Sequence, residues 1–376
     1  MGILRIDRLI SIGIVILMFS ITGSCKKEKT PLPVPDVNIS SSPVEVVEDD
    51  PAGSVSLALS LSGDFDSEIT LDYNTSDSTA ISGTDYVALS SGKLTFIAGE
   101  KTKYITVNIL KDTTSKEDLY FKVIFSNPVN CKLNRSYMVV KIINVDYATL
   151  VWSDEFTAGP LDAQNWNYEQ GATGWGNNEL ENYTNLIDNV HIDSGYLHIS
   201  ALNPSGTTYT SGRITTQNKR TFTNFRVDIR AQLPEGQGIW PALWTLGSNF
   251  TTVGWPKCGE IDIMELLGQT PSTCYGALHW DSNGHTSMTG SYSLLTGKFS
   301  TGFHIFRLIW TPNKLTWIVD NQQFFALTRV QVNTFPFNFP QFFIFNVAVG
   351  GNWPGSPDET TVFPHHMIID YIRVYQ

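Results

Sequence analysis

The chain has 376 residues, 41% of them apolar, and 36 acids against 25 Lys and Arg give a net charge of −11. That length implies two or three domains and enough apolar material for large cores. The acidic balance argues against nucleic-acid binding and against a basic membrane-surface protein, and suits an exported protein acting on neutral ligands.

In chain order, Arg5 and Arg8 precede the apolar run LISIGIVILMFSIT (9–22), which is short for a spanning helix and reads as an export signal. Gly23 and Ser24 stand directly before Cys25, the pattern of a bacterial lipoprotein cleavage site, although Thr22 occupies the place where such sites carry Leu. Lipidation of Cys25 would anchor the chain to the membrane. An ordinary secretory signal with an incidental cysteine is the alternative. KKEKTPLPVPD then reads as a flexible tether. The expected divisions are a signal at 1–25, a tether at 26–36 and domains at 37–146 and 147–376, with the protein exported to the bacterial envelope as an outer-membrane lipoprotein. With Cys25 set aside, Cys131, Cys258 and Cys274 are an odd remainder and define no disulfide framework. Free buried thiols are expected, and no spacing suggests zinc.

From 37 to 146 the pattern is alternation. Val55, Leu57, Leu59 and Leu61 share one strand face, as do Ile105, Val107 and Ile109, and Phe121, Val123 and Phe125. Short alternating strands between Gly, Asp and Ser turns predict an Ig-like, seven-stranded β-sandwich. VEVVEDD, LDYNTSDSTAISGTDY, KLTFIAGEKTKYITVNILKD and FSNPV resemble the Calx-beta domain family. That resemblance implies Glu48, Asp77, Asp85, Asp112 and Asp146 as calcium ligands, with solvated turn acids as the alternative. The family's acidic loop is degraded here to TTSKEDLYF, so the block reads mainly as a spacer or interaction module.

All ten tryptophans lie beyond residue 147. Strand patterns continue in FRVDIRAQL, HIFRLIW, KLTWIVD, QFFIFNVAV and MIIDYIRVYQ. Between them stands CGEIDIMELLG (258–268), with Glu260, Asp262 and Glu265 at i, i+2 and i+5. Two carboxyl groups flanking a glycosidic bond can hydrolyse it, one attacking the anomeric carbon and the other protonating the leaving oxygen. Regular alternation would turn Glu265 away from the other two acids. A β-bulge absorbing one residue between Asp262 and Glu265 would restore it, with Ile263 and Met264 together opposing one partner residue. Three crowded carboxyls cannot all ionise cheaply, so at least one is expected to stay protonated near neutral pH.

Sugar rings lay apolar faces on aromatic side chains. GIWPALW places Trp240 and Trp244 on one strand face, and VGWP places Trp255 just before the acidic strand. These three are expected in a cleft, and His279 of YGALHW is expected on the next strand facing the acids.

GEIDIMELLG resembles the catalytic strand of glycoside hydrolase family 16. The segments LVWSDEF, GWGNNELENYT, YTSGRITTQ, GQGIWPALWTLG, VAVGGNWPG and IDYIRVYQ are similar to its laminarinase-like, endo-β-1,3-glucanase branch. The resemblance implies an all-β, concanavalin-like jelly roll with a long concave cleft. By it, Glu260 is the nucleophile, Glu265 the general acid/base and Asp262 the group assisting Glu260, and the two tryptophan motifs line donor subsites. It also implies Arg213, Asn178 and Trp353 as substrate contacts, and a structural Ca²⁺ at Glu155, Gly195 and Asp370, with no cofactor for catalysis. Met264 matches the longer, bulged spacing of the laminarinase, agarase and carrageenase branches. The expected activity is retaining endo-hydrolysis of laminarin-type or mixed β-1,3/1,4-glucans by a monomer. The alternatives are the same mechanism on a galactan such as agarose or carrageenan, and a non-catalytic β-glucan-binding lipoprotein. No phosphate loop or basic stripe points to nucleic acid.

Overall fold

A computed structural model describes residues 32–112, 117–145, 147, 149–332 and 334–376. The expected export signal, Cys25, most of the expected tether and Asp146 lie outside the described residues. Among those described, no helix is long and apolar enough to cross a membrane.

The N-terminal block forms two facing sheets, one of four strands and one of five. Among the described residues its strand count is nine rather than the expected seven. The excess comes from the short strands Asp36–Asn38 and Lys132–Leu133, which pair in parallel at a sheet edge. The alternating apolar residues point inward as their period requires: Leu57, Leu59, Val107, Phe121 and Val123 are fully buried. Cys131 is a free buried thiol in this core, and Cys258 and Cys274 are likewise free and buried.

The C-terminal block stacks two larger sheets. The inner sheet runs Asn167–Tyr168, Arg213–Thr215, Gln341–Val349, Ile239–Gly247, Glu260–Leu266, Thr273–Asp281 and His285–Ser293. The outer sheet has Arg226–Gln232, His304–Trp310 and Lys314–Val319 at its centre, beside the last strand His365–Tyr375. Every neighbouring pair along the inner sheet is antiparallel. Alternation divides each inner strand between core and open face. In Gln341–Val349, Phe343, Phe345, Val347 and Val349 enter the core, while Phe342, Ile344, Asn346 and Ala348 line a cleft. The only described helix is the single turn Phe250–Val253.

The two blocks touch on the outer sheet's outward face, opposite the cleft. Val47, Ile143 and Val145 pack on Ile309 and Ile318 as a separate apolar cluster. Around it, Asp49 pairs with Arg226 at 3.0 Å and Arg307 at 2.9 Å, and both arginines also pair with Asp228. Asp118 takes Lys314 at 2.6 Å, and the Tyr147 hydroxyl donates to the Trp310 carbonyl at 2.7 Å.

Candidate active site

The strand Glu260–Leu266 carries the bulge. Against Thr273–Asp281, Asp262 is opposite Ala277 and Glu265 is opposite Tyr275, so Ile263 and Met264 share Gly276. On its other side, Trp244 faces Asp262 and Leu243 faces Met264. Ile261, Ile263 and Met264 enter the core, and the three acids emerge on the cleft face. Two features fit this kink. A Cβ on Gly276 would lie 2.5 Å from the Trp317 ring, so only glycine fits opposite the doubled residues. The Trp317 indole, reaching across from the outer sheet, donates to the Asp262 carbonyl at 2.8 Å.

The cleft encloses about 740 Å³. Trp240 donates to Glu265 Oε1 at 3.1 Å, and Trp255 donates to Glu260 Oε2 at 2.9 Å. These two indoles therefore bracket opposite ends of the acidic row. Trp353 packs edge-on against Trp240 and Tyr275 at 5.5 and 5.1 Å, extending the aromatic wall at the Glu265 end. His279 faces the acids from the next strand, its Nε2 lying 3.2 Å from Asp262 Oδ2 and 4.0 Å from Glu260 Oε1.

Burial and the neighbouring Asp262 push the Glu260 carboxyl well above the usual range. Burial raises Asp262 to about 8. Burial and Asp262 raise Glu265 to about 8, against the opposing pull of His279 and the Trp240 bond. The adjacent pair Glu260 and Asp262 titrates jointly, so one proton serves both. The Trp255 N–H favours the charged form of Glu260, against the larger opposing effects of burial and of the neighbouring Asp262.

Arg213 lines the cleft. Its guanidinium lies over Trp175 and Trp244 at 4.5 and 4.9 Å and is ion-paired with Glu169. Trp244 in turn donates to Asn346 Oδ1 at 2.8 Å, and Asn346 donates to the Tyr183 hydroxyl at 3.0 Å. Asn178 is not among the lining residues. It sits at φ 58, and its amide donates to Asn352 instead. Its neighbours Asn177 and Glu179 line the cleft in its place. Asn178 lies in a turn, where no strand alternation fixes the direction of its side chain.

His285 is a site residue that the sequence pattern did not single out. Its Nε2 lies 2.8 Å from His279 Nδ1, and its ring lies 4.6 Å from that of Trp255.

The residues suggested for calcium on the jelly roll do not gather as free ligands. Glu155 accepts two hydrogen bonds from Arg373, at 3.0 and 2.8 Å, and Asp370 pairs with Arg230. The arginines supply the counter-charge that a cation would bring, so Glu155, Gly195 and Asp370 as placed do not fit one. In the N-terminal domain, Glu48 accepts from the Asp112 backbone and from Asn144, and Asp85 accepts from the Ile81 backbone. Oxygen donors of this kind suit a hard cation and Glu48 and Asp85 are buried, but among the described residues no three of these acids come together as a ligand group. Asp77 is engaged otherwise, accepting from Ser82 and from the Tyr86 hydroxyl.

Residues 166–373 match the family model for glycosyl hydrolases family 16. The chain belongs to that family. It is a glycoside hydrolase, and residues 34–154 match the Calx-beta domain model. The catalytic domain is similar to a β-glucanase of Rhodothermus marinus, 38% identical over 60% of this chain and 85% of the relative. It is also similar to a glucan endo-1,3-β-glucosidase of Cryptopygus antarcticus, 40% identical over 60% of this chain and 90% of the relative. Among solved structures, the laminarinase catalytic domain of Thermotoga maritima aligns with a TM-score of 0.57 and 44% identity, covering 61% of this chain and 98% of that one. The family 16 domain is thus the inner and outer sheets with their cleft.

Proposed function

We propose that this family 16 enzyme cleaves internal β-1,3-glucosidic bonds of laminarin-type or mixed-linkage glucans with retention of configuration. The observation that carries the reading is the bulge, which brings Glu260, Asp262 and Glu265 to one face of a tryptophan-walled cleft. Ionised Glu260 attacks the anomeric carbon, while protonated Glu265 gives its proton to the leaving oxygen. The product of that step is a glycosyl ester on Glu260. Glu265, now a carboxylate, takes a proton from water as the water oxygen attacks the same carbon, and Glu260 leaves as carboxylate. Asp262, beside Glu260 on the same face, tunes how readily that nucleophile ionises. The Trp255 and Trp240 indoles orient the two reacting carboxyls.

Lipidation of Cys25 and attachment to a bacterial envelope complete the proposal, supported by the apolar run and the small residues before that cysteine. Calcium at Glu48, Asp85 and Asp112 is the part of the proposal that concerns the first domain. A thermal midpoint that rises with Ca²⁺ and falls with a chelator would support it, and an unchanged midpoint would reject it.

The enzyme starting after Cys25 is to be incubated with laminarin, barley mixed-linkage glucan and agarose. Reducing sugar is expected from the two glucans, with internal chain breakage from the outset. Release from agarose alone would replace the glucan reading with the galactan one. Glu260→Gln should lower kcat by at least about 10⁴-fold, because the nucleophile is removed without changing its size. Full activity in that variant would reject the mechanism.

A further inference from the structure

We propose that Glu260, Asp262 and His279 form a binding site for a divalent transition cation of the Zn²⁺ class, and that a cation there closes the cleft to substrate. One ligand atom from each lies within 4.8 Å of the other two. His279 Nε2 is 3.2 Å from Asp262 Oδ2 and 4.0 Å from Glu260 Oε1. Tetrahedral zinc with bonds of about 2.1 Å sets its ligands about 3.4 Å apart. The observed separations bracket that edge, so small side-chain rotations suffice.

Three further observations point to a ligand here. Asp262 is 3% exposed, and its Oδ2 accepts no hydrogen bond of adequate geometry although it faces His279. Glu260 is held at its other oxygen by Trp255, which leaves Oε1 turned toward the same point. His279 Nδ1 meets His285 Nε2 at 2.8 Å. When His279 donates its Nδ1 proton to His285, the lone pair on its Nε2 faces the two acids, as an outer partner fixes the tautomer of a metal-bound histidine. An imidazole with two carboxylates favours Zn²⁺ and its neighbours in the transition series over Ca²⁺ or Mg²⁺. The fourth coordination position opens into the cleft, where a sugar ring would otherwise lie. Such a cation would take the lone pair that Glu260 needs for attack, so the site inhibits.

The probe is Co²⁺ added to the full exported chain carrying no histidine tag. The expected signal is a set of visible ligand-field bands of tetrahedral intensity, lost on adding Zn²⁺ and lost on adding a β-1,3-glucan oligosaccharide. His279→Ala and Asp262→Asn should each abolish the bands, while His198→Ala, on the outer-sheet strand Tyr196–Ala201 where His198 stacks on His191 at 4.8 Å, should leave them unchanged. His285→Gln should weaken Co²⁺ binding by about 10-fold or more, as loss of an outer hydrogen-bond partner does. Absence of the bands in the parent chain, or their persistence in both His279→Ala and Asp262→Asn, would overturn the site. Bands indifferent to the oligosaccharide, or glucan hydrolysis unaffected by saturating Zn²⁺, would overturn the claim that it closes the cleft. The bands do not depend on turnover, so a chain that bound Co²⁺ as described but cleaved no glucan would refute the substrate assignment and leave the site standing.

Discussion

At the scale of single residues, the buried carboxyls set how the enzyme responds to pH. Glu265 must be protonated to act as the acid, and its carboxyl titrates at about 8. The alkaline limb of kcat/KM should therefore fall with an apparent midpoint near that value. In Glu265→Gln, assayed on a substrate whose leaving group needs no protonation, that limb should disappear; its persistence would assign it to another group. The same raised values govern stability with a definite sign. Unfolded carboxyls titrate at about 4, whereas Asp262 and Glu265 in the folded cleft titrate at about 8. The folded state thus keeps protons that the unfolded chain has already released. Their contribution to stability is complete below about pH 4 and is lost as pH rises toward the folded values. Asp262→Asn removes one of these groups without emptying its space. It should match the parent near pH 4 and exceed it near pH 8 by on the order of 2 kcal/mol, since a tenfold change in proton affinity is worth about 1.4 kcal/mol and water in the open cleft softens the effect of burial. Thermal melts at the two pH values check this, and an equal difference at both would contradict it.

At the scale of elements, the bulge is the point where sequence and structure meet. Three acids at i, i+2 and i+5 could share a face only if the strand absorbed one residue, and the register slips between Asp262 and Glu265. Oppositely placed Gly276 makes that slip possible. Gly276→Ala would put a methyl 2.5 Å from the Trp317 ring, whose indole holds the Asp262 carbonyl. Overpacking of this kind costs about 1–3 kcal/mol. We expect a lower melting temperature together with a fall in kcat larger than the change in KM, because the strain bears on the acids and not on the tryptophan walls. A change in KM alone would mean that the bulge does not orient the acids. The period-two pattern made the strands legible, and Trp240, Trp244 and His279 were placed by that same period, whereas Trp255 was placed by its position just before the acidic strand. His285 was legible in principle. The Asn283–Gly284 turn pairs Asp281 with His285, which sets His285 on the face of His279. Asn178 was not legible, because it lies in a turn, where no strand period fixes the direction of a side chain. Nor were the arginine partners of Glu155 and Asp370, which come from other strands or from register positions that a single strand's pattern does not reveal.

At the scale of the whole molecule, the sequence separated the two blocks by composition but carried no sign of how they pack. Interfaces of this kind combine residues that look like ordinary surface in each domain alone. Ile309 and Ile318 point out of the outer sheet, and Arg226, Asp228 and Arg307 surround them. Within the catalytic domain, two arginines face one aspartate. Asp49 from the first domain balances them, and the side chains of Asp49, Asp228 and Arg307 are only 7–8% exposed. Burial opposes the charge on Asp228, yet Arg307 and Arg226 hold its carboxyl below the usual range. Removing one member of such a buried set leaves an uncompensated charge and costs about 3–5 kcal/mol. Asp49→Ala should therefore lower the thermal midpoint of the catalytic domain, although residue 49 lies outside it and across the sheet from the cleft. Asp64→Ala is the matched control: its pairing with Lys101 is exposed, with side chains 83% and 47% accessible, and water screens such pairs to a small effect. Calorimetry of the two variants separates the alternatives. A first domain that braces the hydrolase melts with it in one transition, which Asp49→Ala shifts downward or splits. A first domain that merely hangs beside the hydrolase melts separately in the parent, and the hydrolase transition then ignores Asp49→Ala as it ignores Asp64→Ala.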